Sequence, residues 1–193
     1  PFNAPHFPNP RNKAADQPCI WQAPERAFAR YGYDPATKDE KLRYHAVVTA
    51  LDDAIGRVLS SLDELGAADN TFVFFYSDNG AFMREKRGLE VASNAPLRDG
   101  GITCFEGGIR VAALARWPGQ IKPGQTIDQT LWSPDLFVAA VELAGAKMPA
   151  DRTIDGRNPL PVLTAGARSP HESLYFVYQR HAALRMGDWK IVR

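Results

Sequence analysis

Asp78 and Asn79 follow the apolar run Thr71-Phe-Val-Phe-Phe-Tyr76 and Ser77, and stand immediately before Gly80. A carboxylate next to an amide carbonyl offers a pair of hard oxygens, the donor type that Ca²⁺ and Mg²⁺ take. Asp, Asn and Gly also dominate tight turns, so a turn is the plainer reading of the segment taken alone. The cysteines add no competing chemistry. Cys19 and Cys104 lie far apart and match no metal or redox spacing, and the simplest reading is two buried thiols. His45, His171 and His181 fall in no chemical pattern and read as structural or exposed.

The elements that must position Asp78 and Asn79 lie on either side of them. Residues 71–76 show no polar alternation, which predicts a strand buried on both faces. Such strands belong to parallel sheets covered by helices, with ligands gathering beyond the strands' carboxyl ends. Before it, Tyr44, Val47, Val48, Leu51, Ile55, Val58, Leu59 and Leu62 recur at steps of three and four, predicting a long helix from Asp39 capped by Gly66. Residues 80–108 carry many glycines and charges and little periodicity, so a long functional loop is expected there. Ile109-Arg-Val-Ala-Ala-Leu-Ala115 reads as a second buried strand, with Gly107-Gly108 as a tight approach to it.

Around this centre the chain opens with a Pro-rich excursion over residues 1–38, holding a short strand end at Phe2. Trp21, Phe28, Tyr31 and Tyr33 are expected to pin it down. Ser133-Pro134-Asp135 predicts a helix start, with the helix ending at Gly145. A coil containing Asp155-Gly156 follows. Leu174–Tyr178, Ala182–Arg185 and Trp189–Val192 read as short strands, the last two joined by a turn at Met186-Gly187-Asp188. The expected architecture is α/β with a small C-terminal antiparallel sheet, residues 1–165 forming the main body and 166–193 the sheet.

The composition of the 193 residues, 45% hydrophobic and 23% charged, is that of an ordinary globular protein. A formal net charge of +1 gives no electrostatic footprint for nucleic acid or an acidic membrane surface. The densest cationic cluster, Arg84-Glu85-Lys86-Arg87, contains its own acid and reads as a solvated face. No apolar stretch approaches the roughly 20 residues that span a bilayer. The chain opens on Pro1 without a methionine and closes inside a predicted strand, so it reads as a fragment of a longer protein.

Five segments, in order, resemble the sulfatase family. They are Phe2-Asn-Ala-Pro-His6-Phe-Pro8, Val48-Thr-Ala-Leu-Asp-Asp-Ala-Ile-Gly-Arg57, Phe74-Phe-Tyr-Ser-Asp-Asn-Gly80, Pro96-Leu-Arg98 with Phe105-Glu-Gly-Gly-Ile-Arg-Val111, and Ala183-Leu-Arg-Met-Gly-Asp-Trp-Lys-Ile-Val-Arg193. The resemblance implies an alkaline-phosphatase-like sheet flanked by helices, and hydrolysis of sulfate esters. It implies one divalent cation, commonly Ca²⁺ and with Mg²⁺ as the alternative, for which Asp78 and Asn79 become two ligands. It makes His6 the histidine that contacts sulfate and protonates the leaving group; in a Pro-rich loop, its plainer reading is a surface histidine. The implied substrate is a sulfated small molecule or glycan. Many members of the family are exported.

Two departures from the family pattern shape the functional reading. The formylglycine nucleophile arises from a Cys or Ser in a C/S-x-P/A-x-R motif, and neither Cys19, Cys104, Ser93 nor Ser169 begins one. The nucleophile and the remaining metal carboxylates are expected upstream of His6, and this chain alone is expected to be inactive. The loop lysine that binds sulfate is replaced by Gly101, with Lys86, Arg87 and Arg98 the nearby cations. Two other readings therefore stand beside the sulfatase: a phosphate or phosphonate monoester hydrolase of the wider superfamily, and an inactive homologue that binds sulfated glycans.

Overall fold

The computed structural model describes residues 21–83 and 91–193. Phe2, His6, Cys19, Lys86 and Arg87 lie outside the described residues. The described residues divide into two compact units: one takes in those up to Ala68 and those within Ser77–Val111, the other Asp69–Tyr76 with Ala112–Arg193.

The first unit is organised by two helices. Helix α1 spans Glu25–Ala29 and α2 spans Glu40–Glu64. Asp39 caps α2 by accepting from the amides of Lys41 (2.9 Å) and Leu42 (3.3 Å), which satisfies two otherwise orphaned donors. Past the C-cap Leu65, Gly66 takes the left-handed φ of 64° that ends the helix, as its sequence position predicts. Helix α1 replaces part of the excursion expected over residues 1–38; at five residues it is too short for periodicity to reveal.

The buried face of α2 differs from the aliphatic stripe that periodicity suggests. Val48 and Val58 are exposed, whereas Ala46, Val47 and Ala50 are buried with Arg43 and Thr49. The small side chains of Ala46 and Ala50 leave room for Phe28 and Ala27 of α1 to close on them. Arg43 is buried because its guanidinium donates to the carbonyls of Trp21 (2.9 Å), Pro35 (3.0 Å) and Thr37 (3.0 Å) and lies over the Phe28 ring. A buried cation is tolerated when its donors are satisfied in this way. Trp21 and Phe28 do pin the segment before α2, while Tyr31 stays half exposed and bonds Thr49 Oγ1 at 2.9 Å.

In the second unit, strand β1 (Val73–Tyr76) pairs with β2 (Ala113–Arg116), Val73 facing Arg116 and Tyr76 facing Ala113. The pairing is antiparallel, not parallel as the unbroken apolar run suggests. Val73, Phe74 and Phe75 are half-buried and Tyr76 exposed, and among the described residues β1 has this one partner. An apolar run reports that a strand meets apolar neighbours, not the direction of its partner. The expected strand over 109–115 is likewise displaced. Its start belongs to a short helix, α3 (Glu106–Ile109), and β2 begins at Ala113, with Leu114 exposed.

Helix α4 (Asp135–Leu143) begins at the predicted Ser133-Pro134-Asp135 signal, and Gly145 follows its end with φ 62°. Helix α5 (Leu160–Ala165) lies where a coil was expected, with Gly166 in the left-handed region at its end. The last three strands, β3 (Ser173–Tyr178), β4 (His181–Met186) and β5 (Trp189–Val192), form an antiparallel sheet in sequence order, as expected. Asp135 is almost fully buried and joins three segments of this unit. Its carboxylate accepts from Trp132 N (2.7 Å) and Arg157 N (2.8 Å) and bonds His171 Nε2 at 2.8 Å. His171 is therefore structural. Among the described residues no helix is long and apolar enough to cross a membrane.

Candidate metal centre

The turn after β1 holds Asp78 exposed and Asn79 half-buried. Asp78 Oδ1 accepts from the amide of Asn79 at 2.9 Å, and Ser77 Oγ donates to the carbonyl of Asn79 at 2.8 Å. Turn and ligand readings thus describe the same residues: the turn chemistry orients the carboxylate. Among the described residues no hydrogen bond engages Asp78 Oδ2 or Asn79 Oδ1. Two hard oxygens left without donors fit a divalent cation, and Asp78 and Asn79 would hold it. No cluster of three or more His, Cys, Asp or Glu occurs among the described residues, so they supply part of a coordination shell.

The segment 94–108 packs directly on this turn, backbone to backbone. Gly80 N donates to Gly108 O (3.0 Å) and Gly101 N to Ala81 O (2.9 Å), and within the segment Gly107 N donates to Arg98 O (2.8 Å). A methyl group on Gly80 would sit 1.7 Å from Gly107 O, and one on Gly107 2.0 Å from Asp99 O. Glycine is required at these positions because neighbouring backbone occupies the space of a side chain. Asp99 and Ile102 adopt left-handed φ values of 63° and 65°. Each such residue costs of order 1–3 kcal/mol and persists only where its surroundings over-determine it. Asp99 Oδ1 accepts from Gly100 N (2.8 Å), and Thr103 Oγ1 donates to Gly100 O (2.8 Å).

Gly101, where the resemblance expects a lysine, faces the turn of Asp78 and Asn79. A Cβ there would stand 3.0 Å from Asn79 Oδ1, 2.9 Å from Phe82 Cδ1 and 2.5 Å from Gly80 O. The backbone has closed on that space, so residue 101 can bear no side chain in this arrangement. Of the other cations named for this loop, Arg98 lays its guanidinium over the Phe105 ring at 4.1 Å. Cys104 is a buried free thiol, in line with its sequence reading.

Nothing in the sequence marks Asn94, which lies within the long loop expected over residues 80–108. Its amide nevertheless contacts both the segment after the ligands and the loop. Ala81 N donates to Asn94 Oδ1 (2.8 Å), and Asn94 Nδ2 donates to Ala81 O (2.8 Å) and Asp99 O (3.1 Å). No local pattern encodes a bond across thirteen residues.

A fold of this kind, with an acid–amide turn backed by a glycine-rich E-G-G loop, defines a class that the comparisons identify. The sulfatase family model matches residues 1–146, and the chain belongs to that family. It is 43% identical to human N-acetylgalactosamine-6-sulfatase over 148 residues, covering 77% of this chain and 28% of that protein. Rat steryl-sulfatase is 43% identical over 136 residues, covering 68% of this chain and 24% of its own length. The crystal structure of Ps i-CgsB in complex with k-i-k-neocarrahexaose superposes with a TM-score of 0.81 at 29% identity, over 99% of this chain and 39% of the other. BT4656, solved with D-glucosamine-2-N,6-O-disulfate, aligns over 78% of this chain and 31% of its own, with a TM-score of 0.61 and 27% identity. The chain therefore spans under a third of the curated relatives it matches.

Proposed function

We propose that this chain is the metal-turn and loop portion of a sulfatase that hydrolyses sulfate esters of a glycan. The observation that carries the reading is the acid–amide turn of Asp78 and Asn79 after β1, whose Asp78 Oδ2 and Asn79 Oδ1 have no hydrogen bond among the described residues and which the glycine-packed loop backs. A divalent cation held there, with Ca²⁺ first and Mg²⁺ second, would polarise sulfate oxygens and draw charge from the ester. Asp78 and Asn79 orient that charge, while Gly80, Gly107 and Gly108 keep the turn from shifting. His6 would deliver a proton to the departing alkoxide, a role that imidazole can fill near neutral pH. The formylglycine nucleophile would come from a segment other than these 193 residues. Residues 1–165 are read as part of the catalytic α/β domain and 166–193 as the start of its C-terminal sheet.

The glycan class is supported by the name N-acetylgalactosamine-6-sulfatase among the relatives and by similar structures solved with k-i-k-neocarrahexaose or D-glucosamine-2-N,6-O-disulfate. Steryl-sulfatase among the relatives makes a sterol sulfate the contrasting substrate. Joined to a nucleophile-bearing segment, the chain should turn over a sulfated monosaccharide in a Ca²⁺-dependent manner. Asp78→Ala should lower kcat/KM by about 100-fold or more. Undiminished activity in that variant would remove Asp78 from the metal site.

Gly101 favours a second reading, in which the protein binds sulfated glycans without hydrolysing them. A missing lysine removes a cation that would stabilise the transferring group. Saturable binding of a sulfated oligosaccharide, with no sulfate release from a protein bearing the nucleophile, would favour that reading over the first.

A further inference from the structure

We infer that Asn94 is a positioning residue for the cation site, locking the Asp78–Asn79 turn to the loop through a two-way amide clamp on Ala81. The inference rests on the metal reading of Asp78 and Asn79, but its geometry is independent of that reading.

Asn94 Oδ1 accepts from Ala81 N, and Asn94 Nδ2 returns a bond to Ala81 O, both at 2.8 Å. A primary amide that both accepts from and donates to one residue reproduces the pairing of a neighbouring strand. It satisfies both backbone groups of a residue in irregular structure, where neither helix nor sheet supplies partners. The second Nδ2 hydrogen reaches Asp99 O at 3.1 Å, at the point where the backbone enters the left-handed region. Donor, acceptor and donor are thus all used, leaving no orientation of the amide that serves as well.

Asn94 also borders the space that side chains at Gly80 and Gly100 would need, beside the nearer backbone oxygens of Gly107 and Ala81. A Cβ on Gly80 would come 3.2 Å from Asn94 Oδ1, and one on Gly100 would come 2.7 Å from Asn94 Nδ2. Asn94 therefore occupies the niche between the two glycines, and Ala81 O accepts simultaneously from Asn94 Nδ2 and Gly101 N. Asn79 is two residues before Ala81, so slack in this clamp becomes displacement of the Asn79 oxygen. Removing groups that orient a ligand typically weakens metal affinity about 10- to 100-fold.

Of the possible replacements, aspartate is the informative one. It keeps the acceptor facing Ala81 N but turns a bare oxygen towards two carbonyls. It also adds negative charge, which by itself favours a cation, so weaker binding in Asn94→Asp reports lost geometry. Ser93 provides a control, since its hydroxyl accepts from Ala95 N without reaching the turn.

The test uses the chain joined to the segment that carries the nucleophile and the remaining metal carboxylates, with Ca²⁺ alone, followed through the amide NMR signals of Ser77–Ala81. Unaltered protein and Ser93→Ala should titrate alike, Asp78→Ala should not titrate, and Asn94→Asp and Asn94→Ala should show a Kd about tenfold higher. Without Ca²⁺, hydrogen exchange at Ala81 and Gly101 should quicken about tenfold in both Asn94 variants, with helix α2 unaffected. An unchanged Kd in a folded Asn94 variant, or loss of melting temperature with Kd preserved, overturns the positioning role. Unchanged exchange overturns the clamp itself. Absence of Ca²⁺ shifts in the unaltered joined protein, or their survival in Asp78→Ala, removes the metal reading and the positioning role with it, while the exchange result still decides the clamp.

Discussion

The loop 94–108 and the sheet β3–β5 are held together by opposite means. In the sheet, regular ladders pair Tyr175 with Leu184 and Leu184 with Ile191, and each strand needs little more than alternating side chains. One face carries the buried Leu174 and Ala183; the other exposes Tyr175, Val177, Met186, Trp189 and Ile191. The loop has almost no regular structure. Its order comes from glycines that let backbone touch backbone and from Asn94 completing the bonds of Ala81. Regular pairing tolerates variation on the face it leaves open. Close backbone approach tolerates almost none.

The most damaging way to test this contrast is a methyl group on Gly80. Gly80→Ala sets a carbon 1.7 Å from Gly107 O, which a backbone-on-backbone contact cannot absorb by rotating a side chain. We expect a loss of about 4 kcal/mol or more in chemical denaturation, at the upper end of single-substitution effects. A loss under about 1 kcal/mol would show that the loop yields and that close approach is not what orders it. Leu174→Ala probes the buried face of the sheet and should cost about 3 kcal/mol by lost transfer energy and an unfilled cavity. Trp189→Ser on the other face, where the side chain is 83% exposed, should move stability by no more than about 0.5 kcal/mol. A large loss there would mean that the exposed face contributes to folding, and the sheet would then resemble the loop more than this contrast allows.

Sequence and structure agree where the signal is local. Helix α2 runs from its Asp39 cap to the glycine turn because capping and terminal φ preferences act within a few residues. The three C-terminal strands follow from short β-rich runs separated by turn residues, and the chain turns between β4 and β5 at the predicted place, with Met186 pairing Trp189. Short helices α1 and α5 escaped notice because five or six residues scarcely complete a period. The burial of Arg43 and Ala46 in place of Val48 was equally hidden. Which stripe of a helix faces inward depends on what packs against it, here Phe28 and the carbonyls of Trp21, Pro35 and Thr37.

The order of motifs alone determined the family, and it is the source of the expectations at Asp78, Asn79 and Gly101, because these depend on which residues occur and how far apart they stand. Tertiary structure decided the antiparallel pairing of β1, the closure of backbone over the space at Gly101, and the place of Asn94 between Gly80 and Gly100. These depend on approaches of a few ångströms between segments separated in the chain. Strand direction, steric room and hydrogen-bond partners at that range are properties of the packed backbone, and no residue carries them by its identity alone.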